Sequence, residues 1–459
     1  MKKTVCCLLS AAFFLTLHAA ALADTSVDST TLFRVSQDDR TGFPNKYLAP
    51  ATQFLGLDMD KLGDGNLSVH LYGWGRLDLG DKSFNNNQAD GSLTYGYMQY
   101  RFKEANAQAR AGRFFVNEGI VNEQVDGLSA RTDLPLGFGV SAFGGATVHT
   151  AHIAGENTDG KGDAITGGRL NYRYGGMLEL GASGVYETKA PTLMNPNNIA
   201  LLNGGKLGDH RLVGGDIWLS PVRMVEIMGH TSYNTETSGV AEHTYLLNIK
   251  PFHDLVLTGQ FNEYRERNLF FASTMFASFV TGLSDLSRTV GGSASYSLVK
   301  GVELTADYKH YTRDIGNADR MGGEARFNLL DNTLRSGIGY HYLRAGSGFA
   351  VLQTFTTSGV LIPTSTASAS FHEARVFAMY DTQKGYFTSL DTIGYFFKER
   401  INNVSNAWEV IGSLGYHITP ALALSGDLSY GKNPQFIDDL RGLIRLTYNM
   451  NYTGKGDAK

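Results

Sequence analysis

Between Thr289 and Arg313 the chain repeats with a period of two. Val290, Gly292, Ala294, Tyr296 and Leu298 alternate with Thr289, Gly291, Ser293, Ser295 and Ser297. Beyond a turn at Lys300 and Gly301, Val302, Leu304, Ala306 and Tyr308 alternate with Glu303, Thr305, Asp307 and Lys309. Successive side chains of a strand leave opposite faces, so this pattern reads as a hairpin with one apolar and one polar face. In a soluble sandwich the apolar face would meet a second sheet. Here the same hairpin recurs along nearly the whole chain, which points to lipid as the apolar partner. Hydrocarbon does not tolerate an open sheet edge, so such strands must close into a barrel.

The first residues fit export. Lys2 and Lys3 precede an apolar run to Ala21, and Ala21-Leu22-Ala23 is a small-x-small site, so residues 1–23 read as a secretory signal peptide cleaved after Ala23. Both cysteines, Cys6 and Cys7, fall inside it. The processed chain is then expected to lack disulfides, thiolate metal sites, cysteine nucleophiles and covalent haem attachment. Loss of Lys2 and Lys3 leaves 38 basic against 44 acidic side chains, a formal charge of −6 that removes the electrostatic basis for nucleic-acid binding. The 54 glycines beside only 10 prolines suit a glycine-rich sheet better than disorder. Outside the leader the longest nearly apolar run, near Phe270 to Val280, is too short for a spanning helix.

Residues 24–65 have weak periodicity and are expected to form a periplasmic segment, with a short helix around Pro50. The barrel is expected over residues 66–453, followed by a periplasmic tail at 454–459. Its first strand is Leu67 to Leu79. Further strands begin near Ser92, Ala107, Gln124, Gly137, Asp163, Met177, His210, Val222, Gly239, Asp254, Thr289, Gly301, Asp319, Thr333, Ser370, Gly385, Val404, Ala421 and Gln435. The reading is an all-β, antiparallel up-and-down transmembrane barrel of about 20 strands in the bacterial outer membrane.

Turn lengths give a separate test, because such barrels alternate short periplasmic turns with long outer loops. Glu104–Asn106, Tyr174–Gly176, Lys300–Gly301 and Leu330–Asn332 are tight. Gly80–Gly91, Thr150–Gly162, Thr188–Gly208, Glu266–Ser287 and Ala345–Ala369 are long, and all fall on one side. Tyr186, Tyr233, Tyr308, Tyr342 and Tyr430 near outer ends, with Phe327, Tyr448 and Tyr452 near inner ends, suit two interfacial girdles.

Charge on the lipid face is costly, so the charged faces should line the lumen. The candidates are His70, Arg76, Asp78, Arg101, Lys103, Glu303, Asp307, Lys309, Arg320, Glu324, Arg326, Arg441 and Arg445. Both signs occur, which forecasts weak ion selectivity. A salt-bridged wall that holds the barrel's shape explains the same residues as well. The loop Glu266–Ser287 carries Phe270, Phe271, Met275, Phe276 and Phe279, more apolar than a solvated outer loop needs; it is a candidate constriction or partner-binding mouth. Catalytic arrangements such as His70 with Asp78, or a metal pair at His149 and His152, lack a fixed third partner, and no enzyme is expected.

The segments Gly112-Arg113-Phe114-Phe115-Val116-Asn117-Glu118-Gly119, Val125-Asp126-Gly127-Leu128-Ser129-Ala130-Arg131, Gly137 to Gly145 and Leu71 to Leu79 resemble outer-membrane porin-like proteins of metal-reducing deltaproteobacteria. Some of those form the sheath of porin-cytochrome conduits, in which a multihaem cytochrome passes electrons through the barrel. The resemblance implies periplasmic and outer-surface c-type cytochromes as partners, with haem in the partner and no cofactor on this chain. It covers mainly the first third, and an N-terminal C-x-x-C known from conduit barrels of another lineage is absent. A barrel of this size with no plug of its own would leave a wide hole, which a second protein would fill. The alternative is a passive porin for small hydrophilic solutes.

Overall fold

A computed structural model describes residues 24–38, 45–82, 88–148, 164–188, 210–235, 238–264, 287–313, 316–345, 353–355, 361–363, 370–382, 385–401, 403–434 and 438–452. Its strands are β1 (Asp24–Asp38), β2 (Pro50–Leu62), β3 (Leu67–Asp78), β4 (Ala89–Phe102), β5 (Ala107–Glu118), β6 (Val121–Asp133) and β7 (Phe138–Thr147). β8 (Ile165–Tyr174), β9 (Leu178–Glu187), β10 (His210–Val222), β11 (Val225–Asn234), β12 (Gly239–Phe252), β13 (Leu255–Tyr264) and β14 (Ser287–Val299) follow. The wall ends with β15 (Val302–Arg313), β16 (Gly316–Leu329), β17 (Leu334–Ala345), β18 (Phe371–Asp381), β19 (Tyr386–Ile401), β20 (Val404–Thr419), β21 (Leu422–Lys432) and β22 (Asp439–Tyr452). Each pairs antiparallel with its neighbours in sequence, and β1 closes the ring on β22 from Thr25↔Tyr452 to Ser36↔Arg441. A short strand, Lys46–Leu48, pairs outside the ring with the end of β1.

The structure corrects the N-terminal reading. β1 and β2 occupy the stretch assigned to a periplasmic segment, and a strand stands where a helix near Pro50 was expected. The physical reason lies on their outward face. Ser29 and Thr31 stand there beside Gln53, whose amide donates to Ser29 Oγ at 2.9 Å and to the Phe54 carbonyl at 2.8 Å, while Thr31 Oγ1 donates to Gln53 Oε1. Polar groups that satisfy one another tolerate the lipid side, and they erase the apolar alternation by which the other strands are recognised.

Every strand start expected from Leu67 onward matches an observed strand within a few residues. Turns following even-numbered strands are short, closed by bonds such as Gly65 N–H to the Leu62 carbonyl at 3.0 Å and Met177 N–H to the Tyr174 carbonyl at 3.0 Å. The long connections all lie at the opposite end, the outer end by the usual asymmetry of such barrels. The leader, the tail at 454–459, the apolar mouth residues Phe270, Phe271, Met275, Phe276 and Phe279, and His149 with His152 lie outside the described residues.

Side-chain parity is maintained around the ring. Leu390, Leu414, Leu428 and Ile444 are each more than half exposed on the outer face. Tyr186, Tyr233, Tyr308 and Tyr430 are exposed near the outer ends. An arginine placed at Leu428, in the middle of β21, is expected to cost about 2–4 kcal/mol of folding free energy in lipid vesicles. Ser293→Arg, on the inner face next to Asp307, should cost far less; equal losses in urea titrations would contradict the assigned faces.

Candidate functional site

The inner face is the site. Register carries its parity from strand to strand: Asp58↔His70↔Tyr97↔Gly112 on β2 to β5, and Asp307↔Gly322↔His341↔Glu373↔Tyr395 on β15 to β19. Its charges are largely paired across strands. Asp307 accepts from Arg320 Nη1 at 2.9 Å and lies 2.9 Å from His341 Nε2, while His341 Nδ1 is 3.2 Å from Glu373. Arg320 also reaches Glu373 at 3.6 Å. This quartet ties β15 to β18, each contact reaching one or two strands along the wall.

The other expected lining residues fall as follows. His70 pairs with Asp58 at 2.7 Å, a partner on a strand the sequence reading omitted, and not with Asp78. Arg76 lies between Asp78 at 3.4 Å and Asp90 at 3.8 Å. Arg326 bonds Glu324 on the same strand. Arg441 bonds Asp439, with Nε 2.7 Å from its carboxylate, and Arg445 approaches Asp427 at 3.4 Å. Arg101, Glu303 and Lys309 share the inner parity of β4 and β15. Lys103 lies just past β4 in a turn closed by Asn106 N–H on its carbonyl at 3.3 Å, so it stands at the periplasmic rim and not on the wall.

Sequence reasoning missed two parts of this face. One is the network on β8 to β10: Arg169 bonds Asp216 through Nε at 3.0 Å and through Nη2, and reaches Glu179 at 2.8 Å; Arg173 takes the other Glu179 oxygen at 3.0 Å. The other is apolar. Phe114, Val116, Val125, Phe143, Ile165 and Val185 form a buried cluster with Ile120 and Val121 on the inner parity. About half the circumference away, Tyr311, Leu343, Phe371, Phe397 and Ile401 form a second. Both stand toward the outer mouth. Apolar residues on the otherwise polar parity were the signal that could have found them.

Between these regions, the inner wall of β3 to β5 carries aromatic rings. Tyr72 stacks on Tyr95 at 5.6 Å, His70 lies 4.9 Å from Tyr97, and Arg110 covers the Tyr97 ring at 5.6 Å. Guanidinium over a ring is a favourable contact.

No family model matches the chain, and no curated protein does. Solved structures do. A ferric enterobactin receptor (PfeA) mutant from Pseudomonas aeruginosa is 10% identical, with a TM-score of 0.54 over 94% of this chain and 81% of that one. Pseudomonas aeruginosa OpdO is 10% identical, with a TM-score of 0.43 over 95% and 100% of the two chains. The P pilus usher (PapC) translocation pore is 8% identical, with a TM-score of 0.46 over 94% and 100%. These likenesses concern the fold. The likeness to the receptor, with the closed 22-strand ring and its polar interior, shows a large antiparallel β-barrel of the bacterial outer membrane.

Proposed function

We propose that the protein is a passive channel for small hydrophilic solutes. The observation that supports this reading is the inner face: polar parity recurs around the ring between the two apolar clusters, with carboxylates and guanidinium groups paired across strands one or two apart. Paired charges of both signs line a wet wall without imposing one sign on the passing solute. In planar bilayers the purified protein is expected to give open, ohmic conductance with little preference between cations and anions. A barrel that carries no current, or only voltage-triggered bursts, would remove this reading.

A second reading has its own support. With strands about 4.8 Å apart and tilted about 40°, a 22-strand ring measures roughly 40 Å across its backbone. Barrels of this strand number elsewhere hold a plug. The described residues form the wall, its turns, the end of the β5–β6 hairpin on one side of the bore, and two short ladders, Lys46–Leu48 with β1 and Gln353–Phe355 with Leu361–Pro363. A multihaem c-type cytochrome inside would fill such a bore and make this chain the sheath of an electron conduit, with all haem in the partner. Purification from the native membrane in mild detergent separates the two: haem absorbance that stays with the barrel favours the sheath, and a colourless conducting barrel favours the porin.

A further inference from the structure

The β5–β6 hairpin leaves the wall. β5 pairs with β4 only as far as Gly96↔Arg113, directly after Gly112, whose φ of +124° is a glycine conformation and whose missing Cβ would lie 2.3 Å from the Gly96 carbonyl. Beyond that point the hairpin continues paired with itself to Glu118↔Val121. Its tip does not extend outward. Glu118 accepts from Ser141 of β7. Gly119, at φ +62°, packs so closely that a Cβ there would stand 2.1 Å from Ser183 Oγ of β9, 2.9 Å from Asp216 Oδ2 of β10 and 3.1 Å from Arg169 Cδ of β8.

The opposing wall is shaped to receive it. Gly214 of β10 leaves the space that Ile120 fills, a Cβ there falling 2.8 Å from Ile120 Cγ2. Ile120 and Val121 are 8% and 5% exposed, so a two-residue tip that would be solvated in an outward loop is seated instead. Burying such side chains contributes about 1.5–3 kcal/mol each.

We infer that the β5–β6 hairpin is a fixed inner lining of the barrel that narrows the bore and sets the largest solute it passes. The hairpin forms a second layer over β7 to β10. Stacked sheets lie about 10 Å apart, so this layer takes a comparable width from one side of the lumen. Because the seat is made of glycines, a hydrogen bond and apolar contacts, the lining stays in place in the absence of solute. The inference rests on the channel reading, and the experiment keeps the two apart.

Two variants test it. Cysteines at Glu118 and Ser141, whose side chains meet across the seat, are expected to be joined by a short bifunctional thiol reagent within the folded barrel, read as a shift on non-reducing gels. A folded barrel whose two thiols react but are not joined overturns the seat. In the second, residues 115–124 are replaced by an Asn-Gly turn, the two-residue connection suited to antiparallel strands. Removing a layer about 10 Å thick over four strands is expected to raise conductance roughly 1.5-fold and to admit larger sugars in liposome-swelling assays. Equal conductance and equal size limit in the folded variant overturn the inference while the channel reading stands. A wild-type barrel that passes no current removes the channel reading; a shortened barrel that then conducts assigns the hairpin as the closure, and one that stays silent overturns it.

Discussion

Deleting residues 24–38 is expected to abolish barrel assembly: no heat-modifiable folded form on gels, and no insertion into lipid vesicles. β1 is bonded on both sides, over twelve positions with β22 and ten with β2. Its loss exposes two strand edges in hydrocarbon, where each unsatisfied backbone group costs several kcal/mol. The ring cannot simply shrink by one strand. β2 and β22 both run from the long-loop end to the short-turn end, so joining them would require a parallel pair at a seam built for antiparallel bonding. Removing only residues 46–48, which pair with the end of β1 outside the ring, should leave assembly intact. A folded, inserted barrel after loss of 24–38 would mean that the ring closes elsewhere.

The same strand shows where the sequence stops being informative. From Leu67 to Tyr452, alternation and turn length were sufficient to place the strands, because each outward face presents apolar side chains to one solvent and each inward face polar ones to another. β1 and β2 break that code at Ser29, Thr31 and Gln53, whose mutual hydrogen bonds depend on the Thr31↔Gln53 register and are invisible along a single strand. The lining residues were legible by parity, but their partners were not. His70 was weighed against Asp78, eight residues on, whereas its carboxylate comes from Asp58 across the β2–β3 ladder. The inward hairpin left a trace at Phe114, Val116 and Val125, apolar residues on the polar parity. That trace has two readings, a wall facing lipid on the wrong side or a second layer within, and only the contacts of Gly119 with β8 to β10 decide between them.

Those contacts make Arg169 the side chain whose loss should be felt most among the wall charges. Its guanidinium serves two acids at once, Asp216 through both Nε and Nη2 and Glu179 through Nη2, with side-chain exposures of 13%, 14% and 24% for the three. Removing one member of a largely buried pair leaves the other charge uncompensated, typically at about 3–5 kcal/mol, and partial access to lumen water places this case near the lower end. Arg169→Ala is therefore expected to lower folding stability in vesicles by about 3 kcal/mol, measured as a shift of the urea midpoint. The carboxylates left behind are the cause, so neutralising one should help: Asp216→Asn in the Arg169→Ala background should recover part of the loss, although Asp216→Asn alone destabilises. Additive losses in this cycle would mean that Arg169 acts through packing of its stem against the Gly119 turn and not through its charge.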